Sequence, residues 1–379
     1  MKLTLFKAAT IVKTTSIVSA VLLVATACTP SNTATINKTT AISQTAKQNT
    51  SQNVEDKKVA SKTRPTIVSP AMVSEAIDSH LRQVLKQAGI KTDITSIVPS
   101  NFPNMYQVNL VGQPPLHITA DGRYVIQGEL QKNPSKRVVT ATQERSNSEQ
   151  AGVPVSATVK SAMLANMGTL KNMSQKTPFF YTAVSGVIWG ATLEGIPFLL
   201  SDDAQYITDG EISVIENGQF TGLDEDFEAR KNQSVFSALD ESQLINYPAT
   251  SAERAIIYVA TDVNCPYCRK LHQQINRLNR KGVTVKMIGY PIYEQSPQQM
   301  RAIWCQPDKD SRRKALDNAM LAGKMTPAPA SCTTDFVTPN REKAAGLAVI
   351  ATPAIYRDDG VLYQASFDSP EFLEFLGVK

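Results

Sequence analysis

The stretch Ala255-Ile256-Ile257-Tyr258-Val259-Ala260-Thr261-Asp262-Val263-Asn264-Cys265-Pro266-Tyr267-Cys268 decides the fold. Its first six residues are continuously apolar and rich in β-branched side chains, which is typical of a strand buried on both faces. After it, apolar residues recur at helical spacing, at Leu271, Ile275 and Leu278, until Gly282 ends the pattern. Residues 282–288 again have the pattern of a strand. The stretch therefore predicts a βαβ unit with a C-x-x-C motif at the start of its helix.

The position of the two cysteines predicts a reactive thiol. Pro266 suits the first helical position because its missing N–H leaves no hydrogen bond unmade there. Cys265 is then expected near the N-cap, where free backbone N–H groups and the positive end of the helix dipole favour a thiolate, the form that attacks disulfides. The alternatives are a structural bridge or a zinc knuckle. A zinc site would need a second close cysteine pair, and Cys305 and Cys332 are far apart. The pattern favours redox chemistry without a metal.

Residues 1–27 have the pattern of a secretory signal peptide, with basic residues followed by an apolar stretch too short and interrupted to span a membrane. Ala25-Thr26-Ala27-Cys28 is similar to a bacterial lipobox, in which the cysteine is lipidated, and it also fits plain A-x-A cleavage. Residues 28–66 are rich in Ser, Thr, Asn, Gln and Lys, which predicts a disordered tether. We expect secretion and a membrane anchor at lipidated Cys28, with cleavage without a lipid as the alternative.

The net charge of +5 comes from the N-terminal segment. Residues 1–66 hold 9 of the 39 basic and 2 of the 34 acidic side chains, so residues 67–379 carry 30 basic and 32 acidic ones and a net charge of −2. The folded part therefore lacks the positive excess expected of a nucleic-acid binder.

Four cysteines remain after Cys28, and they allow three pairings. Disulfides persist outside the cytosol. With the C-x-x-C pair as the reactive one, we expect Cys305 and Cys332 to form a structural disulfide. The alternative is that both remain thiols.

Two segments upstream of the C-x-x-C motif are similar to each other. Residues 115–130, PLHITADGRYVIQGEL, align without gaps to residues 197–212, PFLLSDDAQYITDGEI. A helical pattern precedes each segment at a similar distance, which predicts two copies of a module made of one helix and a small antiparallel sheet. The expected divisions are a first module at 67–132, a linker at 133–152, a second module at 153–222, a linker helix at 223–250 that is largely solvated, and a catalytic domain at 251–379.

Several motifs in residues 67–379 resemble those of the DsbC/DsbG family of periplasmic disulfide isomerases. The motifs that carry the resemblance are Thr261-Asp262, Cys268-Arg269-Lys270-Leu271-His272, Ala302-Ile303-Trp304-Cys305, Ala328-Pro329-Ala330-Ser331-Cys332, Ala351-Thr352-Pro353-Ala354, and the stretch Leu85 to Gln131 with Asp121-Gly122-Arg123-Tyr124-Val125-Ile126-Gln127-Gly128. The resemblance implies an α/β thioredoxin fold with a helical insertion, following the α+β N-terminal modules. The dipeptide Pro266-Tyr267 is typical of DsbG, whereas Trp304-Cys305 and Cys332 resemble DsbC.

The resemblance also implies roles. Cys265 and Cys268 would be catalytic, and Thr352 and Pro353 would form a cis-proline loop that presents backbone to an extended client. The protein would isomerise or reduce incorrect disulfides of secreted proteins in the periplasm. It would need no cofactor beyond the Cys265–Cys268 disulfide, and a membrane reductase of the DsbD type would keep the pair reduced. The family pairs through its N-terminal module, so a homodimer is expected, with pairing of the two modules of one chain as the alternative.

Two other functions remain open at this point. One is a dithiol oxidase or a DsbG-like reductase of sulfenylated cysteines, suggested by Pro266-Tyr267. The other is a lipid-tethered chaperone or assembly module with secondary redox activity. Three residues near the cysteines are expected to have structural roles: His272 packs in the helix, Asp262 caps or hydrogen-bonds within a loop, and Trp304 packs in the core. The alternatives are that His272 tunes the reactive thiol, that Asp262 assists proton transfer and that Trp304 contacts the substrate.

Overall fold

The computed structural model describes residues 73–135, 150–168 and 173–378. The expected signal peptide, the tether and Cys28 lie outside these residues. Among the helices that the structure describes, none is long and apolar enough to cross a membrane.

The first module is one helix packed on an antiparallel meander. The Ser74 hydroxyl caps the helix by accepting a hydrogen bond from the Ile77 N–H at 3.3 Å. Leu81 and Leu85 bury its apolar face against the sheet. The elements are α1 (Glu75–Gln87), β1 (Ile94–Pro99), β2 (Met105–Leu110), β3 (Leu116–Thr119) and β4 (Tyr124–Gln127).

A second helix and meander follow with the same order of elements. The Ser156 hydroxyl caps this helix by accepting from the Val159 N–H, also at 3.3 Å. Val159 and Met163 pack its buried face against the strands. The elements are α2 (Ala157–Asn166), β6 (Phe179–Tyr181), β7 (Val187–Ala191), β8 (Pro197–Ser201) and β9 (Tyr206–Thr208).

Each meander gains one further strand from the segment that follows the other meander in the chain. The short strand β5 (Gln131–Lys132) follows β4 along the chain but pairs with β9, while β10 (Ile212–Glu216) follows β9 but pairs with β4. The next strand, β11 (Gln219–Leu223), forms a hairpin with β10 and becomes the edge strand of that sheet. The resulting sheets have the orders β1-β2-β3-β4-β10-β11 and β5-β9-β8-β7-β6.

The third sheet lies in the C-terminal part and has the order β12-β14-β13-β15-β16. Its central strands β13 (Ala255–Thr261) and β14 (Val283–Gly289) are parallel and joined by helix α4 (Pro266–Arg280), so the βαβ unit is present as predicted. Antiparallel strands flank them. The remaining elements are β12 (Ile245–Tyr247), α5 (Ser296–Trp304), α6 (Lys309–Ala322), α7 (Thr338–Lys343), β15 (Ala354–Arg357), β16 (Leu362–Tyr363) and α8 (Glu371–Phe375).

The linker helix α3 (Glu225–Ala238) is packed rather than solvated, so the expectation of a largely solvated spacer was wrong. Phe236 stacks on Tyr258 of the catalytic sheet with ring centroids 4.1 Å apart. On the other side, the Lys231 ammonium lies 4.2 Å from the ring centroid of Trp189 in β7 and pairs with Glu228 at 2.9 Å. A lysine can be buried along an apolar contact when its ammonium is paired with an aromatic ring and a carboxylate. The sequence pattern does not show these partners, so it counted Lys231 as a solvated residue.

Candidate active site

Strand β13 and helix α4 place the two cysteines at the carboxyl end of a buried parallel strand. Cys265 occupies the N-cap position of α4 and Pro266 stands at its first helical position. Cys268 lies one turn further along, and both sulfurs are free thiols on side chains only 2% exposed. The dithiol is therefore held at a helix N-terminus, where the dipole and free N–H groups favour negative charge.

The two thiols have opposite acidities. A hydrogen bond from the Cys268 thiol is the main cause that lowers the pKa of Cys265 to about 5. The nearby Thr352 side chain and the backbone N–H groups of Cys268 and Tyr267 add to this effect, against the opposing effect of burial. Burial raises the pKa of Cys268, and its hydrogen bond to Cys265 raises it further. One sulfur is thus a thiolate at neutral pH while the other keeps its proton.

The loop before β15 lies directly against the reactive sulfur. The Thr352–Pro353 peptide bond is cis. Its Thr352 carbonyl oxygen lies 3.0 Å from Cys265 Sγ, a distance at which the protonated thiol donates a hydrogen bond. The structure therefore brings together the two predicted catalytic cysteines, Cys265 and Cys268, and the two residues of the predicted client-binding loop, Thr352 and Pro353.

A buried carboxylate fixes the loop on the other side of the dithiol. Asp262 is fully buried, and one of its oxygens accepts from the backbone N–H groups of Ile292 (2.6 Å) and Tyr293 (3.2 Å). Its other oxygen accepts from the Asn264 N–H at 2.7 Å and from the Ser296 hydroxyl at 2.6 Å. Asp262 thus acts as a loop hydrogen-bonding residue, as the sequence predicted. Ile292 and Tyr293, which it places beside the site, belong to no motif that the sequence analysis recognised.

Comparison with known proteins gives matches in both halves of the chain. The model of the disulfide bond isomerase protein N-terminal domain matches residues 70–141, and that of the thioredoxin-like domain matches residues 241–376. The thiol:disulfide interchange protein DsbC of Escherichia coli K12 is 32% identical over 219 residues, which cover 56% of this chain and 84% of that protein. The chain belongs to the DsbC family. Its activity is accordingly thiol-disulfide exchange, and the C-terminal domain has the thioredoxin-like fold that the sequence predicted.

Two further similar proteins match shorter parts of the chain. The DsbC protein of Dickeya dadantii is 38% identical over 125 residues, covering 32% of this chain and 50% of that protein. A crystal structure of a disulfide interchange protein from Neisseria gonorrhoeae is 22% identical, with a TM-score of 0.32, and covers 37% of this chain and 96% of that one. The two matching domain models leave residues 142–240 of this DsbC-family chain uncovered.

The remaining candidate residues make structural contacts. Cys305, at the end of α5, forms a disulfide with Cys332, with an S–S distance of 2.00 Å and Cα atoms 5.6 Å apart. His272 packs edge-to-face on Tyr247 and bonds to Asp317 at 2.8 Å. The buried Trp304 donates its indole N–H to the Gln243 carbonyl, also within the core of the domain. In the described part of this DsbC-family chain, no cluster of three or more His, Cys, Asp or Glu residues is arranged to hold a metal ion.

The low pKa of Cys265 predicts the pH dependence of its alkylation. The alkylation rate follows the thiolate fraction, so it should stay constant from pH 8 down to about 6 and fall to half near pH 5, where the thiolate takes up a proton. A Cys268→Ala variant removes the main stabilising hydrogen bond and should shift the midpoint upward. The measurement is the rate of iodoacetamide labelling against pH. A midpoint that stays near 5 in the variant would contradict the role of Cys268.

Proposed function

We propose that this protein isomerises or reduces incorrect disulfides of secreted proteins, with Cys265 as the attacking sulfur and Cys268 as the resolving one. The observation that carries the proposal is the split in acidity within the dithiol: Cys265 has a pKa of about 5 and its neighbour keeps a proton. The thiolate lies against the cis Thr352–Pro353 loop, where the backbone of an extended client can bind as an added strand.

The reaction begins with attack of the Cys265 thiolate on one sulfur of a client disulfide. A mixed disulfide forms, and the other client sulfur leaves as a thiolate. In isomerisation, a client thiolate then attacks another client sulfur and a third exchange releases Cys265, so no net electrons are transferred. In reduction, Cys268 gives up its proton and attacks Cys265. The client leaves with two thiols, and the two electrons it gains leave a Cys265–Cys268 disulfide behind.

A protein that works by this route needs its dithiol regenerated after each reduction. We propose that a membrane reductase of the DsbD type supplies the electrons and that the protein acts in the periplasm, tethered by a lipid at Cys28. These proposals rest on the family and on the N-terminal sequence pattern. The structural disulfide Cys305–Cys332 fits an oxidising compartment.

The assignment is tested with scrambled ribonuclease A. The purified, reduced chain should restore ribonuclease activity at substoichiometric concentration without added oxidant. Ribonuclease that stays scrambled, or that becomes fully reduced without regaining activity, would contradict isomerisation.

We also propose that the two helix-and-meander units are copies of one module. Three elements of the second unit begin 82 residues after their counterparts in the first: α2 after α1, β7 after β2, and β9 after β4. The local hydrogen bonds repeat as well. The Asp121 carboxylate accepts from the Thr119 hydroxyl and the Arg123 N–H, and 82 residues later the Asp203 carboxylate accepts from the Ser201 hydroxyl and the Gln205 N–H.

The two copies pair within one chain with two-fold symmetry. Val125 of β4 lies opposite Ser213 of β10, and Ile207 of β9 lies opposite Gln131 of β5, so the same pair of positions occurs twice with the modules exchanged. A symmetric interface of this kind normally joins two identical subunits. Because the chain satisfies both halves of it internally, we propose a monomer with one catalytic domain in place of the expected homodimer.

A further inference from the structure

Exposed apolar side chains occur on three segments that flank the reactive sulfur. Tyr267 follows Cys265 by two residues and is 60% exposed, and Ile350 precedes Thr352 by two residues and is 91% exposed. Tyr293, whose backbone N–H is held by Asp262, is 39% exposed. We call Tyr267, Tyr293 and Ile350 the active-site collar. Exposed apolar side chains grouped around one site commonly mark an interaction surface.

A turn of the second module packs on the segment that carries Ile350. The β7–β8 turn is closed by the Thr192 N–H, which donates to the Ile196 carbonyl at 2.9 Å. Gly195 in this turn has φ +90°, and a Cβ on it would lie 2.7 Å from the Tyr290 hydroxyl oxygen. That hydroxyl donates to the Val349 carbonyl at 3.4 Å. The turn therefore packs on the residue immediately before Ile350.

An arginine of the catalytic domain holds the turn in place. The Arg341 guanidinium donates to the carbonyl oxygens of Leu193 at 2.8 Å and Glu194 at 3.1 Å. It also stacks on the Tyr290 ring, 3.7 Å from its centroid. Despite this anchoring, Ile196 remains 61% exposed. A large apolar side chain is thus presented to solvent on a fixed support.

The turn lies within reach of a client bound at the dithiol. Three peptide units separate Val349 from Thr352, a span of at most about 11 Å. An extended client advances about 3.3 Å per residue, so residues three or four positions from its attacked cysteine can reach that far. Because Cys265 is only 2% exposed, a client disulfide cannot approach its sulfur without touching the surrounding surface. The collar segments flank that contact, and the turn packs on Val349, next to Ile350.

We propose that the β7–β8 turn of the second module completes the client-binding surface, and that Ile196 binds an apolar side chain of the extended client segment next to the disulfide under attack. The occupant is a misfolded client chain, which exposes apolar residues that its native core would bury. The inference rests on the proposed disulfide exchange at Cys265. It assigns to the second module a part in recognising clients.

The test compares Ile196→Asp with a control at the corresponding turn of the first module, where Val111 is 55% exposed. Both substitutions place a carboxylate on an exposed turn of the full chain. Ile196→Asp should lower kcat/KM for scrambled ribonuclease A about tenfold, as expected for losing the contact of one large apolar side chain. It should leave the reduction of oxidised glutathione within about twofold, since that small disulfide does not reach the turn. Val111→Asp should change neither.

Several results would overturn the inference. An unchanged kcat/KM for ribonuclease would show that Ile196 contacts no client, and an equal loss with glutathione would show that the turn acts on the dithiol itself. A changed sedimentation mass would assign Ile196 to self-association. Ile196→Ala should give a smaller loss in the same direction, and an Asp-specific loss would point to misfolding instead. Failure of the proposed function would give a different result: the unmodified chain would then act on neither scrambled ribonuclease A nor oxidised glutathione.

Discussion

Replacing Cys265 by Ser is expected to abolish the reactivation of scrambled ribonuclease A, with a loss of about a thousandfold or more. A serine hydroxyl is not ionised at neutral pH, whereas the Cys265 thiol has a pKa of about 5 and is a thiolate there. The measurement is the initial rate of recovery of ribonuclease activity with the reduced protein. Retained activity in Cys265→Ser would remove this residue from the mechanism.

Cys268→Ser provides the matched control, because it changes one sulfur of the same pair. This variant should still attack clients, but it cannot release them by forming the Cys265–Cys268 disulfide. Mixed disulfides with ribonuclease should therefore accumulate and be visible on a non-reducing gel. If Cys265→Ser accumulates them instead, the attacking and resolving roles are reversed.

The full chain is expected to sediment as a monomer. With Cys28→Ser to remove the candidate lipid, velocity sedimentation should give a mass no greater than that of one full-length chain, 41.3 kDa. The reason is that β10 already occupies the edge of β4, and β5 occupies the edge of β9, so neither module offers this edge to a second chain. A species of twice the mass at micromolar concentration would contradict the internal pairing.

A cross-link distinguishes internal pairing from strand exchange between two chains. Val125 and Ser213 lie directly opposite each other in β4 and β10. In a background with both active-site cysteines replaced by serine, Val125→Cys combined with Ser213→Cys should form a disulfide within one chain and run at the mass of one chain on a non-reducing gel. A covalent dimer would mean that the strands pair between chains.

The chemistry of this protein was predictable from the sequence because it depends on local signals. The apolar strand, Pro266 and the two-residue spacing of the cysteines together specify a thiol at a helix N-terminus, and the structure has that arrangement. The exchange of β5 and β10 was not predicted. Both strands are short, and the hydrogen bonds that place them join residues about 75 to 90 positions apart, which periodicity within either module does not specify.

The same limit applies to the contacts between modules. The sequence predicted a linker helix over residues 223–250, whereas α3 ends at Ala238 and β12 begins at Ile245. It did not predict the partners of this helix either: Phe236 was expected on a solvated spacer and lies instead on Tyr258. Arg341 and Gly195, which join the second module to the catalytic domain, carry no motif because their roles depend on tertiary packing.

The redox state of the Cys265–Cys268 pair in growing cells tests the central claim most directly. Acid quenching followed by alkylation with a mass-tagged maleimide reports how many thiols the protein carries, with Cys265→Ser/Cys268→Ser as the zero-thiol control. An isomerase and reductase must hold its dithiol ready, so the account predicts a mainly reduced pair with two tags per chain. A pair that is mainly oxidised, with no tags, would contradict the account and identify the protein as a dithiol oxidase.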